Sequence, residues 1–229
     1  MKLSTNTIEV LKNFSTINSG LYFKTGNVLK TISGQSTILA QATVEETFPT
    51  NFGIYELNTF LSVLSLSRDE TPELEFDDKI ITIKSNKGRS KMKYRCCDQK
   101  MIKETPEKNI ELSNPEVSFT FSADDFEWVA RASAALGSPQ IAVNSDGAKV
   151  FVSSIDTQND AANTDSLEIA EGNGKKYKII FKTENLTKVL PGNYTVSISS
   201  QGAAHFKNTT RQIEYWIATE AGSNFNEEE

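Results

Sequence analysis

Apolar residues recur at the same interval in four separate stretches of the chain. In each stretch an apolar residue is followed by a second one five positions later and by a third one three positions after that. The four sets are Leu3-Ile8-Leu11, Tyr55-Phe60-Val63, Phe121-Phe126-Val129 and Phe181-Leu186-Val189. Side chains three apart share one face of a helix, so each set predicts a strand end followed by a short helix with a buried stripe.

Strand patterns with period two follow each predicted helix. The first predicted helix has Ser4 as its N-cap and the apolar stripe Ile8, Leu11, Phe14 and Ile17. Alternation over residues 72–78, 79–86 and 90–97 predicts strands, and Asp146-Gly147 indicates a hairpin turn. An α+β protein with short helices could produce such matches by chance, but four in the same order favour an internal repeat.

Residues 98–116 interrupt the repeat. This stretch is charged, contains Pro106 and Pro115 and has no clear period, so we predict a connector. The predicted domains are residues 1–97 and 117–229, with two copies of the repeat in each. The predicted fold class is α+β, with two short helices packed on antiparallel sheets in each domain.

Composition and charge narrow the range of functions. The 229 residues are 38% hydrophobic and 24% charged, which is typical of a globular protein. No run of about 18 apolar residues occurs, so no membrane span is predicted. Cys96 and Cys97 are neighbours in a predicted strand, where a disulfide between them would be strained, so we expect reduced thiols and a cytosolic protein.

Charge is distributed unevenly along the chain. Residues 1–97 carry 12 basic and 10 acidic side chains, residues 98–229 carry 12 and 20, and together they give the net charge of −6. A net-acidic chain is a poor candidate for tight, sequence-independent DNA binding through charge alone.

Signatures of catalysis are missing from the sequence. The sole histidine, His205, lies in a predicted strand, which leaves no candidates for a histidine-based triad or a metal cluster. Gly174-Lys175 lacks the preceding glycine of a phosphate-binding loop. We therefore predict no enzymatic activity, no cofactor and no metal. Trp128 and Trp216 are interpreted as packing residues, although either could border a binding surface.

Several stretches of the sequence resemble one protein family. These stretches are residues 3–20, PGNY at 191–194, QGAAHF at 201–206 and EYWIATEA at 214–221. They are similar to the DNA polymerase sliding clamp, or processivity factor, of T4-like bacteriophages, which has the PCNA-like clamp fold. The likeness covers nearly the whole chain and is weakest in the middle. It implies two similar domains per subunit, three subunits closed head to tail, and helices around a hole for duplex DNA.

Helix packing tests the subunit number that the resemblance implies. If all four helices of each chain line the ring about 10 Å apart, two chains leave a hole of roughly 15 Å. Three chains leave a hole of roughly 28 Å. Because B-form DNA is roughly 20 Å across, the packing favours a homotrimer.

The resemblance also implies a role in phage DNA replication. A clamp of this family tethers the replicative DNA polymerase, is loaded by an ATP-dependent clamp loader, and has late-transcription factors as further partners. It would act in the cytoplasm of the infected bacterial host. The alternative interpretation is a monomeric β-rich adaptor or virion structural protein that binds only other proteins.

Two sets of site residues follow from the clamp interpretation. Basic residues that lie off the apolar stripes are candidates to face DNA, although each could equally be a solvated surface charge: Lys12, Arg68, Arg131 and Lys188. The resemblance places a pocket for partner peptides at Ile32, Leu39, Trp216 and Ala218. Ile110 and Leu112 are apolar residues in a polar connector, and they either join this pocket or pin the connector down.

The charges of two predicted strands suggest how subunits join. Period two places Lys91, Lys93 and Arg95 on one face of a strand in the first domain. In the second domain the corresponding acidic residues are Asp165, Glu168 and Glu171. Unlike surfaces of this kind produce a head-to-tail ring, whereas the alternative is that these charges protect strand edges from aggregation.

Overall fold

The chain was analysed as a computed structural model that describes residues 1–67, 71–77, 79–85, 87–107, 110–112 and 115–225. It divides into two compact units, Met1–Lys108 and Asn109–Glu229. The division falls inside the stretch 98–116 that the sequence analysis assigns to a connector, while the exact domain bounds stay a prediction.

Unit 1 has two helices and seven strands among its described residues. The helices are α1 (Thr5–Ile17) and α2 (Leu57–Ser65). The strands are β1 (Leu21–Phe23), β2 (Gly26–Ile32), β3 (Ile38–Phe48), β4 (Phe52–Ile54), β5 (Glu73–Asp77), β6 (Ile80–Ser85) and β7 (Ser90–Arg95). Strands β2 and β3 form an antiparallel hairpin, β1 pairs with β4, and β5, β6 and β7 form a meander. A 3-10 turn, Gln99–Met101, follows the last strand.

Unit 2 has two helices and eight strands in its described part. The helices are α3 (Ala123–Leu136) and α4 (Thr183–Leu186). The strands are β8 (Val117–Phe121), β9 (Gln140–Asp146), β10 (Lys149–Ile155), β11 (Leu167–Glu171), β12 (Lys176–Lys182), β13 (Tyr194–Ser199), β14 (Ala203–Asn208) and β15 (Ile213–Ala218). Antiparallel pairing gives the orders β11-β10-β9-β12 and β15-β14-β13-β8.

The fourfold repeat predicted from the apolar spacing is present in the fold. Each helix begins two residues after the first member of its set, at Thr5, Leu57, Ala123 and Thr183. The copies differ in helix length, which is 13, 9, 14 and 4 residues in chain order. The α+β fold class, with short helices and antiparallel sheets in each unit, is confirmed.

The buried stripes of α1 and α2 are rotated from the predicted ones. In α1 the buried residues are Thr7, Val10, Leu11, Phe14 and Ile17, so Ile8 lies at the edge of the stripe and is only half-buried. In α2, Val63 is half-buried. Tyr55 precedes the helix and is 50% exposed. The apolar spacing thus predicts where the helices occur. It does not predict every buried residue, because the helical period of 3.6 residues turns some of the apolar side chains away from the core.

Each unit has its own apolar core. In unit 1, Phe23 stacks on Phe52 with ring centroids 4.4 Å apart, and Phe48 contacts both rings edge-on. In unit 2, the third and fourth apolar sets are buried in full. Cys96 and Cys97 are free thiols, and burial raises the pKa of Cys96 to about 11, which keeps it protonated near neutral pH. No helix in the described part of the chain is long and apolar enough to cross a membrane.

Candidate nucleic-acid and partner interfaces

Helix α1 is fastened to strand β3 at its first turn. The Ser4 hydroxyl oxygen accepts a hydrogen bond from the Thr7 backbone N–H at 3.2 Å. The Glu46 carboxylate accepts from the Ser4 backbone N–H and from the Thr7 hydroxyl. Burial alone would raise the pKa of Glu46, but these hydrogen bonds outweigh it and hold the pKa below its ordinary value. The solvent side of α1, which carries the exposed Lys12, is therefore held in a fixed orientation on unit 1.

Helix α3 has both of its ends capped. The Ser122 hydroxyl oxygen accepts from the Asp125 backbone N–H at 3.1 Å, and Gly137 ends the helix in the left-handed conformation at φ 66°. The buried stripe of the helix is Phe126, Val129 and Ser133. These caps and this stripe determine which side chains of α3 face outward.

The outward face of α3 carries an exposed aromatic side chain beside a basic one. Arg131 is exposed, and its guanidinium lies 3.7 Å from the carboxylate of Glu127 one turn earlier. Trp128 is 50% exposed, so its interpretation as a packing residue was wrong. The sequence could have predicted this exposure, because position 128 lies about 100° around the helix from the buried Val129.

The other two candidates for facing DNA are placed less clearly. Lys188 follows α4 and is half-buried. Arg68 lies outside the described residues, so its position stays a prediction. Lys12 and Arg131 are therefore the candidates with described, exposed side chains on the long helices.

The first part of the predicted connector and the residue before it contact the rest of unit 1 through three residues, which we call the latch (Cys97, Ile102 and Lys103). The Cys97 backbone N–H donates to the Gly53 carbonyl at 2.9 Å. Ile102 is buried, and a Cβ added to Gly53 would lie 3.0 Å from its Cδ1 and 2.8 Å from the Cys97 carbonyl oxygen. The Lys103 ammonium donates to the Gly34 carbonyl and to the Ser36 hydroxyl, both at 2.6 Å. The latch thus holds the start of the connector against strand β4, at Gly53, and against the turn between β2 and β3.

A groove of about 340 Å³ lies between the latched segment and strands β1 and β2. Its walls include Tyr22, Val28 and Lys30 on one side and Pro106 on the other. The Lys30 ammonium lies 3.5 Å from the Glu107 carbonyl oxygen and closes part of the groove. Sequence reasoning missed this groove and the latch because their two sides are about 70 residues apart in the chain, as the contact of Lys103 with Gly34 illustrates.

The residues predicted for partner peptides are placed as follows in each unit. In unit 1, Ile32 and Leu39 are direct partners across the β2–β3 hairpin, and both are buried. In unit 2, Ile110 is exposed, whereas Leu112 and Ala218 are half-buried.

Trp216, the remaining residue of that set, is 5% exposed and belongs to a small cluster on β14 and β15. Its ring stacks on His205 of the neighbouring strand, with centroids 4.7 Å apart and planes 9° from parallel. His205 Nε2 lies 2.9 Å from a carboxylate oxygen of Glu214, so the histidine supports packing of the tryptophan.

The two charged strands predicted for subunit contact are both outer strands of their sheets. On β7, Lys91, Lys93 and Arg95 alternate with half-buried residues and are all exposed. Strand β11 lies next to β10 at the opposite end of its sheet from β12. Among the strands that the structure describes, each of these two therefore has no pairing strand on its outer side within its own sheet, as a shared strand-to-strand interface requires.

The acidic residues near β11 already have partners inside unit 2. The Lys149 ammonium lies 2.5 Å from a Glu168 oxygen and 3.2 Å from a Glu171 oxygen. The hydrogen bonds that the ammonium donates to these two carboxylates raise the pKa of Lys149. Asp165 precedes β11 and accepts a hydrogen bond from the Ser154 backbone N–H at 2.7 Å. Sequence reasoning missed Lys149, which is brought to both glutamates by a register shift between Val150 and Phe151.

The fold defines the class of the protein. The structure superposes on the crystal structure of Proliferating Cellular Nuclear Antigen from Entamoeba histolytica with a TM-score of 0.69, and the match covers 93% of this chain and 94% of that one. The sequence identity is only 15%, so this likeness shows the fold, which is that of a DNA clamp.

Sequence comparisons then identify the family. A model described as DNA polymerase processivity factor matches residues 2–103, and one described as gp45 sliding clamp, C terminal, matches residues 118–221. The sliding clamp of Vibrio phage KVP40 is 33% identical over 227 residues, which cover 96% of this chain and 100% of that protein. The sliding clamp of Enterobacteria phage T4 is 30% identical, with 97% of this chain and 98% of that protein covered. The chain belongs to the family of T4-like phage sliding clamps and is a processivity factor for DNA polymerase.

Proposed function

We propose that three copies of this chain close head to tail around duplex DNA and hold the replicative polymerase on its template. The observation that carries the proposal is the pair of family matches, which run consecutively over residues 2–103 and 118–221 and leave only a short stretch between them. The four helices of each chain support the subunit number, because twelve helices leave a hole of roughly 28 Å.

Topological retention explains how a chain of net charge −6 works on DNA. A closed ring cannot dissociate from a duplex without open ends, so strong phosphate contacts are unnecessary and would slow sliding. A few exposed basic residues are enough to make the hole attractive to DNA. We assign this role to Lys12 of α1 and Arg131 of α3, with Lys188 and Arg68 as further candidates.

Subunits are proposed to join through the outer strands β7 and β11. The exposed Lys91, Lys93 and Arg95 supply the basic side of this interface. Glu168 and Glu171 supply the acidic side, and Asp165 contributes charge near the start of β11. Because Lys149 already binds both glutamates, we expect backbone pairing to carry most of the stability, and the ion pairs to select the partner strand.

Reversing the charge of the basic strand tests this interface. Lys91→Glu with Lys93→Glu should lower the fraction of trimer at low micromolar concentration, measured by light scattering coupled to gel filtration. The matched control is Lys2→Glu with Lys207→Glu, which makes the same change in net charge at exposed positions elsewhere. An unchanged trimer fraction in the first variant would count against the assigned strand.

Partner proteins are proposed to insert apolar peptides beside the connector. The candidate residues are Ile32 and Leu39 in unit 1, and Ile110, Leu112, Trp216 and Ala218 in unit 2. The partners of such a site are the replicative polymerase, an ATP-dependent clamp loader and late-transcription factors, in the cytoplasm of the infected bacterium. Trp216 is the best-supported member, because a buried tryptophan with a stacked neighbour forms a rigid wall.

Synthesis on primed circular DNA tests the proposed function as a whole. With polymerase, clamp loader and ATP present, the protein should lengthen the products on a primed circle and on a template with blocked ends. On a linear template with open ends the gain should be smaller, because the ring slides off. Equal product lengths with and without the protein on the circle, together with a monomeric mass, would favour the adaptor interpretation.

A further inference from the structure

The outward strip of helix α3 consists of four exposed residues. Asp124, Trp128, Arg131 and Ala135 follow one another at intervals of four, three and four, and every one of them is exposed. This spacing keeps the four side chains on one face of a helix, opposite the buried stripe. Trp128 is 50% exposed, whereas Trp216 is 5% exposed. The two tryptophans of the chain therefore differ sharply in their access to solvent.

The indole ring of Trp128 is suited to a surface that is partly apolar and partly polar. Exposing its aromatic carbons to water is unfavourable, and tryptophan is enriched where the ring meets an apolar surface and the N–H meets an acceptor. The indole Nε1–H is a donor only. A DNA backbone offers both features, because deoxyribose carbons lie beside phosphate oxygens that accept hydrogen bonds.

The charge of α3 leaves little room for ionic attraction to phosphate. The helix contains the acidic residues Asp124, Asp125 and Glu127 and the single basic residue Arg131. The guanidinium of Arg131 is also 3.7 Å from Glu127, which offsets part of its charge. Arg131 is therefore the one basic group that this helix offers to phosphate, and an uncharged donor beside it would strengthen the contact with DNA.

We propose that Trp128 is a DNA contact of the clamp, with its ring against the deoxyribose edge of the backbone and its Nε1–H donating to a phosphate oxygen. The inference rests on the proposed ring, in which α3 faces the hole. Arg131 lies one turn away on the same strip and favours the duplex backbone over an apolar partner peptide. Because an uncharged donor releases no counterion from DNA, the contact adds to the affinity for DNA without adding to the salt dependence of that affinity. It reads no base, as a clamp that moves along any sequence requires.

Fluorine NMR of the loaded clamp tests this contact directly. Clamp labelled with 5-fluorotryptophan should give one resonance for each tryptophan, assigned with the variants Trp128→Phe and Trp216→Phe. After loading onto a closed circular duplex with clamp loader and ATP, and removal of the loader, the Trp128 resonance should be shifted or broadened, and the resonance of the buried Trp216 should match that of the free clamp. Linearising the circle should restore the original spectrum as the rings slide off.

The possible outcomes distinguish a failure of the Trp128–DNA contact from a failure of the proposed ring. Rings that are retained on the circle without any change at Trp128 would overturn the contact and leave the ring intact. A Trp128 resonance that responds to loader or polymerase without DNA would overturn it in favour of a protein contact. Rings that are never retained on the circle would overturn the proposed function, and the DNA contact with it.

Affinity for a short duplex provides a second test. Trp128→Ala should weaken binding roughly two- to tenfold, the range of one net hydrogen bond, with the slope against salt concentration unchanged. Trp128→Phe keeps an aromatic ring without the N–H donor, so its affinity for the duplex should lie between those of the wild type and Trp128→Ala. The control is Leu136→Ala, which trims another exposed apolar residue of α3 off the strip and should have no effect. Trimeric Trp128→Ala protein with unchanged affinity would contradict the proposal.

Discussion

Helices α1 and α3 hold equivalent places in the repeat and have almost the same length, yet they are secured in different ways. Helix α1 depends on a residue from a distant strand, because Glu46 of β3 accepts hydrogen bonds from Ser4 and Thr7. Helix α3 has local caps, Ser122 at its start and Gly137 at its end, and its distant contact is an uncharged one, in which the Asn193 side-chain oxygen accepts from the Ala123 backbone N–H at 2.8 Å. The repeat therefore fixes where a helix begins, while each copy has its own means of anchoring it and its own outward face.

The largest effect is expected from removing the distant anchor of α1. Glu46→Ala leaves the fully buried Thr7 without its acceptor, so it should lower the free energy of unfolding by about 2 kcal/mol. Urea unfolding followed by circular dichroism measures the loss. Glu45→Ala removes the neighbouring, exposed carboxylate and should have little effect. Equal losses in the two variants would show that Glu46 is no anchor.

A smaller effect is expected from the local cap of α3. Ser122→Ala removes the acceptor of the Asp125 backbone N–H and should cost about 1 kcal/mol. The same urea titration applies, and Ser122→Asp should recover most of the loss because aspartate also caps helices. A loss larger than that of Glu46→Ala would reverse the comparison between the two helices.

Acid pH should reduce the stability that Glu46 contributes at α1 and leave the stability that Ser122 contributes at α3 nearly unchanged. The folded protein holds the pKa of Glu46 below its ordinary value of 4.5, so the stability it provides is present above that value and is lost as pH falls through the folded pKa. The difference in unfolding free energy between the wild type and Glu46→Gln should therefore narrow between pH 6 and pH 3. The difference in unfolding free energy between the wild type and Ser122→Ala should change less over the same pH range. If the two differences changed in parallel with pH, this prediction would be contradicted.

The smallest effects concern the outward faces. Lys12→Ala should reduce the slope of duplex affinity against salt by about one unit. Arg131→Ala should reduce it by less, because Glu127 already offsets part of the charge. Glu127→Gln removes the carboxylate that offsets Arg131, so it should make the slope of duplex affinity against salt steeper. Fluorescence anisotropy with a labelled duplex measures all three, and a larger change for Arg131→Ala than for Lys12→Ala would contradict the ranking.

The sequence predicted the elements of the fold well because their signals are local. Phe121, Phe126 and Val129 lie within nine residues, and their spacing alone predicts α3 and its buried side. The alternation of Lys91, Lys93 and Arg95 in the same way predicted an exposed face of β7. The local pattern failed at Tyr55, which has the spacing of a core residue but is half exposed.

The sites depended on neighbours that no local pattern reveals. Lys149 binds Glu168 and Glu171 because antiparallel pairing of β10 with β11 brings them together. The latch forms because Lys103 reaches a turn about 70 residues earlier. The burial of Trp216 likewise depends on how the β14–β15 pair packs.

The sequence by itself determined the fourfold repeat, the class of fold and the family, since each follows from spacing or motifs within short stretches of chain. Only the tertiary structure decided that Glu46 anchors α1, that Lys149 occupies the acidic edge and that Trp216 is buried beside His205. The physical reason is that periodicity defines the faces of a helix or strand, whereas the groups that meet each face come from segments that only folding brings together.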